Sequence, residues 1–286
     1  MPGVLLTIGG LAVAAGFYAI VIAPRRLRII ELDVPIPGLD PAFDGYRIGV
    51  LSDLHQAALP GLSHTLRAVR EIQRREPDLF ALLGDYGVSF ERSRRVSAKL
   101  YPAELRTLTP VLRGLRAPDG VVGVVGNHDY YFDGPAVVEW LRTTGVRVLM
   151  NEHITITRGA ARLTIAGVDD AFEGVSDIPA AFAGSDPTVP RILLAHNPDS
   201  VLRPGDAAPP ALVLSGHTHG GQVALPFYGP PVQFARIASR HAAQGWIANS
   251  YAPLFVSAGV GSQIPLRFGV VPDAVLVRLR ATPAES

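Results

Sequence analysis

Short runs of apolar residues, each bounded by turn residues, recur along the chain after Pro24. Nearly continuous apolar runs of this length are typical of strands that are covered on both faces of a sheet. The runs are RIGVL at 47–51, LFALL at 79–83, VVGVV at 121–125, RLTIAGV at 162–168, RILLA at 191–195 and ALVLS at 211–215. They predict the strands of an α/β protein, provided that helices lie between them.

Helical patterns do separate several of these strands. The first consists of Leu62, Leu66, Val69 and Ile72, with Ser63 as a candidate N-cap, and the second of Val137, Val138 and Leu141 after Pro135. The close succession of VRVLM (146–150), HITIT (153–157) and RLTIA (162–166) predicts a local antiparallel meander. No break in composition marks a second domain, so residues 29–286 are expected to form one domain.

The N-terminal pattern is different, because residues 4–23 carry no charge. This length suits a helix that crosses about 30 Å of hydrocarbon, and it predicts an N-terminal transmembrane helix within a membrane anchor of residues 1–28. Arg25, Arg26 and Arg28 follow the segment, which favours a cell-membrane protein with its catalytic domain in the cytoplasm. A cleaved signal peptide and a buried helix rich in Gly and Ala are the alternatives.

Charge and cysteine content narrow the functional classes. The 286 residues include 26 basic and 25 acidic side chains, a balance that disfavours a protein whose main task is to coat nucleic acid. Because the charges balance, any recognition of phosphate must be local. The absence of cysteine excludes disulfide frameworks, thiolate metal sites and cysteine nucleophiles.

The residues that follow the predicted strands carry the candidate chemistry. The segments are LSDLH, LLGDY, VGNHDY, LLAHNPD and LSGHTHGGQ, and they contain five of the eight histidines. In open α/β sheets ligands bind at the carboxyl ends of the strands, so these segments are expected to converge. The alternate spacing in Asp53-x-His55 and His217-x-His219 is typical of metal chelation, and adjacent glycines permit tight turns.

Taken together, the segments D-x-H, G-D, G-N-H-D, H and G-H-x-H resemble, in order, the signature of the calcineurin-like metallophosphoesterases, over residues 53–219. Within the family, the chain is similar to a membrane-associated bacterial branch that includes enzymes acting on UDP-diacylglucosamine. The segments that carry this similarity are LLGDY, GNHDYY, AHNPD and GHTHGGQ. The resemblance implies a layered α/β sandwich of two mixed sheets flanked by helices. It also implies a phosphodiesterase or pyrophosphatase.

The same resemblance implies two divalent metal ions that share one carboxylate. One metal would take Asp53, His55, Asp85 and His219, and the other Asp85, Asn127, His196 and His217. A solvent molecule between the metals would supply the nucleophile, while the metals hold the phosphate oxygens. These ligand types accept Mn, Fe, Zn or Mg, with manganese favoured.

The family pattern assigns His128 to catalysis, where it would protonate the leaving oxygen, although such a residue also serves as a hydrogen bonder outside the ligand shell. Asp129 is a second catalytic candidate, as an orienting group, and an ordinary helix cap is the alternative. Asp169 and Asp170 are candidates for an outer shell, with solvated strand-end carboxylates as the alternative, and Asp199 is a candidate turn residue.

Two departures from the family bear on substrate. GDYG lacks the D-R-G that phosphoprotein phosphatases carry downstream, and Ala258 stands where relatives often have arginine, so Arg267 either compensates or is structural.

Apolar residues between Val223 and Pro253 predict either the wall of a groove or a covering loop. With the anchor, the groove favours a lipid-linked phosphodiester or pyrophosphate. A soluble-nucleotide phosphodiesterase or nuclease and a non-catalytic metal-binding scaffold remain as alternatives.

Overall fold

The computed structural model describes residues 2–56, 61–89, 94–239 and 243–282. The strands are β1 Arg28–Ile36, β2 Arg47–Leu51, β3 Leu79–Leu82, β4 Val121–Gly123, β5 Arg147–Val148, β6 Glu152–Arg158, β7 Ala161–Gly167, β8 Arg191–Ala195, β9 Leu212–Ser215, β10 Gly245–Ile247, β11 Leu254–Val256 and β12 Asp273–Ala281. The α-helices are α1 Pro2–Phe17, α2 Leu62–Gln73, α3 Arg94–Arg113, α4 Asn127–Phe132, α5 Gly134–Thr143 and α6 Ile178–Ala181.

The strands form two six-stranded mixed sheets, as the sequence predicts. The first has the order β1-β12-β2-β3-β4-β5 and the second the order β10-β11-β9-β8-β7-β6. In the first sheet only the β12–β2 pair is antiparallel, and in the second the outer pairs β10–β11 and β6–β7 are antiparallel. The strands β2, β3 and β4 are therefore parallel to one another, as are β8 and β9, and each group ends at one edge.

Alternating side chains along each strand divide the core into layers. Leu79 and Ala81 of β3 pack between the two sheets, whereas Phe80 and Leu82 pack against the helices on the outer face of the first sheet. The second sheet is covered on its outer face by α6 and by loops after β8 and β9. Both sheets are thus buried on both faces, which explains why their strands read as continuous apolar runs.

Two local expectations are wrong. Residues 146–150 do not join an antiparallel meander, because β5 pairs in parallel with β4 and lies at the edge of the first sheet. Only β6 and β7 form the antiparallel hairpin. Ser63 is not an N-cap, since α2 begins at Leu62 after Gly61.

The predicted membrane-spanning helix at residues 4–23 is not confirmed. The α-helix α1 has 16 residues, a length of about 24 Å, and it continues into a π-helical turn, Tyr18–Ile22, and a 3-10 turn, Ala23–Arg25. Within the described ranges, none of the helices combines the length and the apolarity that crossing a membrane requires.

Candidate functional site

The carboxyl ends of five strands bring the predicted site residues together between the two sheets. Asp53 and His55 follow β2, Asp85 follows β3, and Asn127 opens α4 after β4. The second sheet contributes His196 after β8, and His217 and His219 after β9. All seven predicted ligands are buried, with at most 8% of the surface of any of them exposed.

The backbone at most of these positions is unusual for residues other than glycine. The φ angle is positive at Asp53, His55, Asp85, His217 and His219, with values from 38° to 69°. Such conformations are unfavourable for side chains with a Cβ atom and persist where the surrounding structure holds them for a function. The sharp turns after the strands therefore aim these side chains inward at an energetic cost.

Two glycines allow this convergence. A Cβ at Gly126 would lie 2.3 Å from Asp85 Oδ1, and one at Gly216 would lie 2.4 Å from Asp53 Oδ2. Both distances are below any real contact of a Cβ atom, so these positions must lack a side chain for the carboxylates to fit.

The candidate ligand atoms form three groups whose members lie within 4.8 Å of one another, namely Asp53 with His55 and His219, His55 with Asp85 and His128, and Asp85 with His196 and His217. Asp85 Oδ2 lies 3.3 Å from His196 Nε2 and 3.6 Å from His55 Nε2, so it is positioned between the groups. Asn127 Oδ1 lies 3.2 Å from His196 Nε2.

The outer nitrogens of three imidazoles point to backbone carbonyls, which fixes their tautomers. His55 Nδ1 lies 3.0 Å from Gly87 O, His196 Nδ1 2.7 Å from Leu83 O, and His217 Nε2 3.1 Å from Phe234 O. Each outer nitrogen donates its hydrogen to the carbonyl, so the inner nitrogen presents a lone pair to the site.

Several of the inner nitrogens lie close to one another. The inner nitrogens of His196 and His217 are 3.2 Å apart, as are Nε2 of His55 and Nε2 of His219. Asp85 Oδ2 is buried and, among the described residues, has no hydrogen-bond donor. Buried imidazole nitrogens and carboxylate oxygens this close together need protons or cations among them, and this set of ligand types fits two divalent metal ions.

The electrostatics agree with this arrangement. Burial lowers the pKa of His55 and of His217 to about 3, so both are neutral and available as ligands at pH 7. Burial raises the pKa of Asp53 to about 6. Burial also opposes ionisation of Asp85, but the neighbouring imidazoles outweigh it and hold its pKa well below the usual range.

His196 differs from the other histidines. Burial alone lowers its pKa, yet the adjacent carboxylate of Asp85 raises it well above the usual value. Without a metal, His196 therefore takes the proton that offsets Asp85. A bound cation replaces that proton, because a metal and a proton compete for the same lone pair.

His128 lies next to the metal groups at the half-buried N-terminus of α4. Its backbone N–H donates to Asp85 Oδ1 at 2.9 Å, and its Nδ1 lies 2.8 Å from Ser89 O. Its ring contacts His55 edge-on, with 5.0 Å between the centroids. A ring nitrogen of His128 lies within 4.8 Å of the ligand atoms of His55 and Asp85, which places the imidazole at the site.

Asp129 combines both roles considered for it in the sequence. One oxygen accepts from the N–H groups of Asp85 (3.0 Å) and Gly126 (2.8 Å), and the latter bond caps α4. The other oxygen accepts from Tyr86 N–H (3.0 Å) and the Tyr101 hydroxyl. The carboxylate thus joins the loops that carry Asp85 and Asn127.

The remaining acidic candidates are buried rather than solvated. Asp169 accepts from the Tyr130 hydroxyl at 2.7 Å, and Asp170 accepts from two N–H groups of the turn that follows it. Asp199 accepts from the N–H groups of Arg236 and Ile237, both at 2.8 Å. These carboxylates shape the loops beside the site.

Arg267 is fully buried and lies behind a ligand, not in front of it. Its guanidinium donates to the carbonyls of His219 (2.7 Å), Ala258 (2.9 Å) and Gly261 (2.5 Å). Arg267 therefore occupies the space beside Ala258 but positions His219, and it is not free to bind phosphate. Sequence reasoning left this role open, and it missed Tyr101 because α3 was not predicted.

The predicted groove residues divide into two sets. Leu225, Phe227, Tyr228, Phe234 and Trp246 are exposed, with Phe227 fully so. By contrast, Ile237, Ile247 and Tyr251 pack on the outer face of the second sheet. Three of these eight residues thus belong to a covering layer.

Comparison with known proteins adds to this geometry. The family model described as calcineurin-like phosphoesterase matches residues 46–221. The chain is 30% identical over 283 residues to the uncharacterized metallophosphoesterase YkuE of Bacillus subtilis, covering 97% of this chain and 94% of that one. It is 33% identical over 239 residues to the phosphodiesterase YaeI of Escherichia coli, covering 82% of each.

A third relative carries a more specific name. The UDP-2,3-diacylglucosamine pyrophosphatase LpxG of Chlamydia trachomatis is 25% identical over 337 aligned residues, which cover 98% of this chain and 97% of that protein. The matches to all three relatives extend well beyond the segment that contains the ligands.

Proposed function

Because the chain belongs to the calcineurin-like phosphoesterase family and is a metal-dependent phosphoester hydrolase, we propose that it cleaves a phosphodiester or pyrophosphate bond in a membrane lipid or a lipid-linked nucleotide. The observation that carries the catalytic part is the cluster of buried imidazole nitrogens and carboxylate oxygens around Asp85. Two divalent ions, with manganese favoured, activate the attacking water and offset the charge of the phosphate when bound.

The residues of the chain supply the rest of the mechanism. Asp53, His55, Asp85 and His219 hold one ion, and Asp85, Asn127, His196 and His217 hold the other. With only two carboxylates among the ligands, the site stays electropositive and attracts the phosphate. His128, fixed through Nδ1 to Ser89 O, gives a proton from Nε2 to the leaving oxygen.

Two features support a substrate in a lipid surface, namely two segments without acidic residues and the contact between these segments. None of the 25 acidic residues lies before Glu31 or between Ala207 and Pro272. These two acid-free segments meet, since Arg267 N–H donates to Ala19 O at 2.9 Å and the rings of Tyr18 and Phe268 are 6.2 Å apart.

The acid-free segments carry exposed apolar side chains beside arginines. Phe17, Ile20 and Ile22 are exposed in the N-terminal segment, and Leu225 and Phe227 in the loop after β9. Apolar side chains beside cations suit an anionic lipid surface. In this proposal residues 4–23 attach the chain to the cell membrane, and the arginines that follow them keep the catalytic domain on the cytoplasmic side.

The first experiment tests the metal-dependent hydrolysis. The full chain is given bis(p-nitrophenyl) phosphate with manganese, and His217→Ala is compared with His153→Ala, whose half-buried imidazole lies outside the site on Ala181 O. We expect turnover that is abolished in the first variant and kept in the second. Equal activity of both variants would refute the site, and no turnover by the wild type despite bound metal would favour a scaffold.

The second experiment tests the lipid. A diacylglycerol phosphodiester in mixed micelles is compared with the same compound after removal of its acyl chains. The proposal expects a much higher kcat/KM for the acylated compound. Equal values would remove the lipid from the proposal and favour a phosphodiesterase for soluble substrates.

A further inference from the structure

A cavity of about 390 Å³ lies beside the metal site, on the side of the second sheet. Its wall includes Phe172, Val175, Ser200, Leu202, Arg203 and Arg236. We propose that this cavity, named here the arginine cavity, binds the second phosphate of a pyrophosphate substrate and the group attached to it. This inference rests on the proposed function and narrows it from phosphodiesters in general to pyrophosphates.

The arginine cavity is attached to the metal site at three points. The Phe172 ring lies edge-on to His217, with 5.2 Å between the centroids. Phe234 O accepts from His217 Nε2, and Asp199, which follows His196 in the next turn, accepts from Arg236 N–H. The wall of the arginine cavity is therefore in contact with His217, one of the predicted ligands.

The charges in the cavity favour an anion. The guanidinium groups of Arg203 and Arg236 are exposed, and neither has a hydrogen-bond or ion-pair partner within the described part of the chain. Asp199 is the one carboxylate among the lining residues, and both of its oxygens already accept backbone N–H groups. Guanidinium groups bind phosphate oxygens through paired N–H donors.

Two hydroxyl groups in the wall point to the same ligand. Ser176 and Ser200 line the cavity, and the Oγ atom of each is buried without a hydrogen-bond partner in the residues that the structure describes. Buried polar atoms without a partner are rare in native proteins, and a ligand bound in the cavity would satisfy these two. Rotation about χ1 turns a serine hydroxyl toward a phosphate in the cavity.

The apolar part of the wall accommodates the group beyond the second phosphate. Phe172, Val175 and Leu202 are 48%, 72% and 46% exposed. An aromatic ring and two aliphatic side chains next to cations suit a flat, uncharged group such as a base or a phenyl ring.

Hydrolysis at this site adds one water across P–O–P. The water oxygen bonds to the phosphorus at the metal ligands, the bridging oxygen leaves with the bonding electron pair on the second phosphate, and the two protons of the water pass to the product phosphates or to solvent. Two phosphomonoesters result. The arginines stabilise the charge that the leaving phosphate gains, so they act on pyrophosphates and not on a simple diester.

The test uses two substrates that differ by one phosphate, bis(p-nitrophenyl) phosphate and P1,P2-bis(p-nitrophenyl) pyrophosphate, with products followed by 31P NMR. The double variant Arg203→Ala with Arg236→Ala is expected to lower kcat/KM for the pyrophosphate about tenfold or more. Its kinetics on the diester should equal those of the wild type. Arg106→Ala, an exposed arginine of α3, serves as the matched control.

Further measurements distinguish failure of this inference from failure of the proposed function. Lysine at both positions keeps the charge but not the paired donors, and should restore part of the pyrophosphate activity. Calorimetric titration of p-nitrophenyl phosphate into metal-free protein should show binding that the double alanine variant loses. If the wild type cleaves neither substrate, the proposed function fails while the titration still tests the cavity. Unchanged binding and unchanged pyrophosphate kinetics in the double variant would overturn the inference.

Discussion

Replacement of Asp129 by asparagine tests how the site is held together. The carboxylate accepts three backbone N–H groups and one hydroxyl. In Asp129→Asn the amide oxygen can keep the N–H groups of Asp85 and Gly126, but the NH2 group then faces Tyr86 N–H. One buried donor without an acceptor costs about 1–3 kcal/mol, and the two bonds that remain lose about 1 kcal/mol each with the charge.

We therefore expect Asp129→Asn to lower the free energy of unfolding by about 3–5 kcal/mol, a large part of the stability of a typical domain. Urea denaturation of metal-free protein measures this loss, and manganese titration measures the accompanying loss of affinity. The matched control is Asp133→Asn, because Asp133 caps α5 through Ala136 N–H and asparagine caps equally well.

The control should stay within about 0.5 kcal/mol of the wild type. A different outcome for Asp129→Asn refutes the reasoning. If that variant keeps wild-type stability and manganese affinity but has no turnover, the carboxylate acts on the substrate and not on the loops.

Four further predictions follow from the site. Arg267→Met should weaken manganese affinity about tenfold, measured by titration, because His219 loses its backbone support; unchanged affinity contradicts this role. Manganese affinity should fall about fivefold between pH 6 and pH 5, since Asp53 has a pKa of about 6 and its ionised fraction falls from about one half to about one tenth; calorimetry at each pH tests this, and a flat profile contradicts it. Gly216→Ala places a Cβ 1.9 Å from the Ser52 hydroxyl and should abolish turnover, whereas Gly10→Ala, with open space around it and no positive φ, should retain it. Manganese at a hundred times its Kd should raise the unfolding free energy by about 2.7 kcal/mol, seen as a higher Tm that EDTA reverses.

The sequence predicts the strands that end at the site and misses the elements that support it. The apolar runs of β2 and β8 are recovered with their bounds because both are buried on both faces. The helix α3 is missed, and two prolines, Pro102 and Pro110, interrupt its pattern. Its Tyr101 hydroxyl, which binds Asp129, is consequently missed as well.

Other features of the fold and of the site depend on contacts between distant parts of the chain, which the sequence pattern does not indicate. The pairing of Arg28 in β1 with Asp273 in β12 is not encoded in any local pattern. The arginine cavity likewise joins three loops that are far apart in sequence, so periodicity does not indicate it. By contrast, the metal ligands are identifiable because each follows a strand within a few residues.

The place of β12 in the first sheet has a consequence for synthesis of the protein. This strand lies between β1 and β2, and its Asp273 carboxylate accepts from the Ser257 hydroxyl and Ala258 N–H. The loop held in this way donates Gly261 N–H to Asp53 O at 2.8 Å. On the ribosome, His219 and all ligands before it emerge ahead of this strand. The sheet closes only afterwards, so we expect metal loading to follow synthesis of β12.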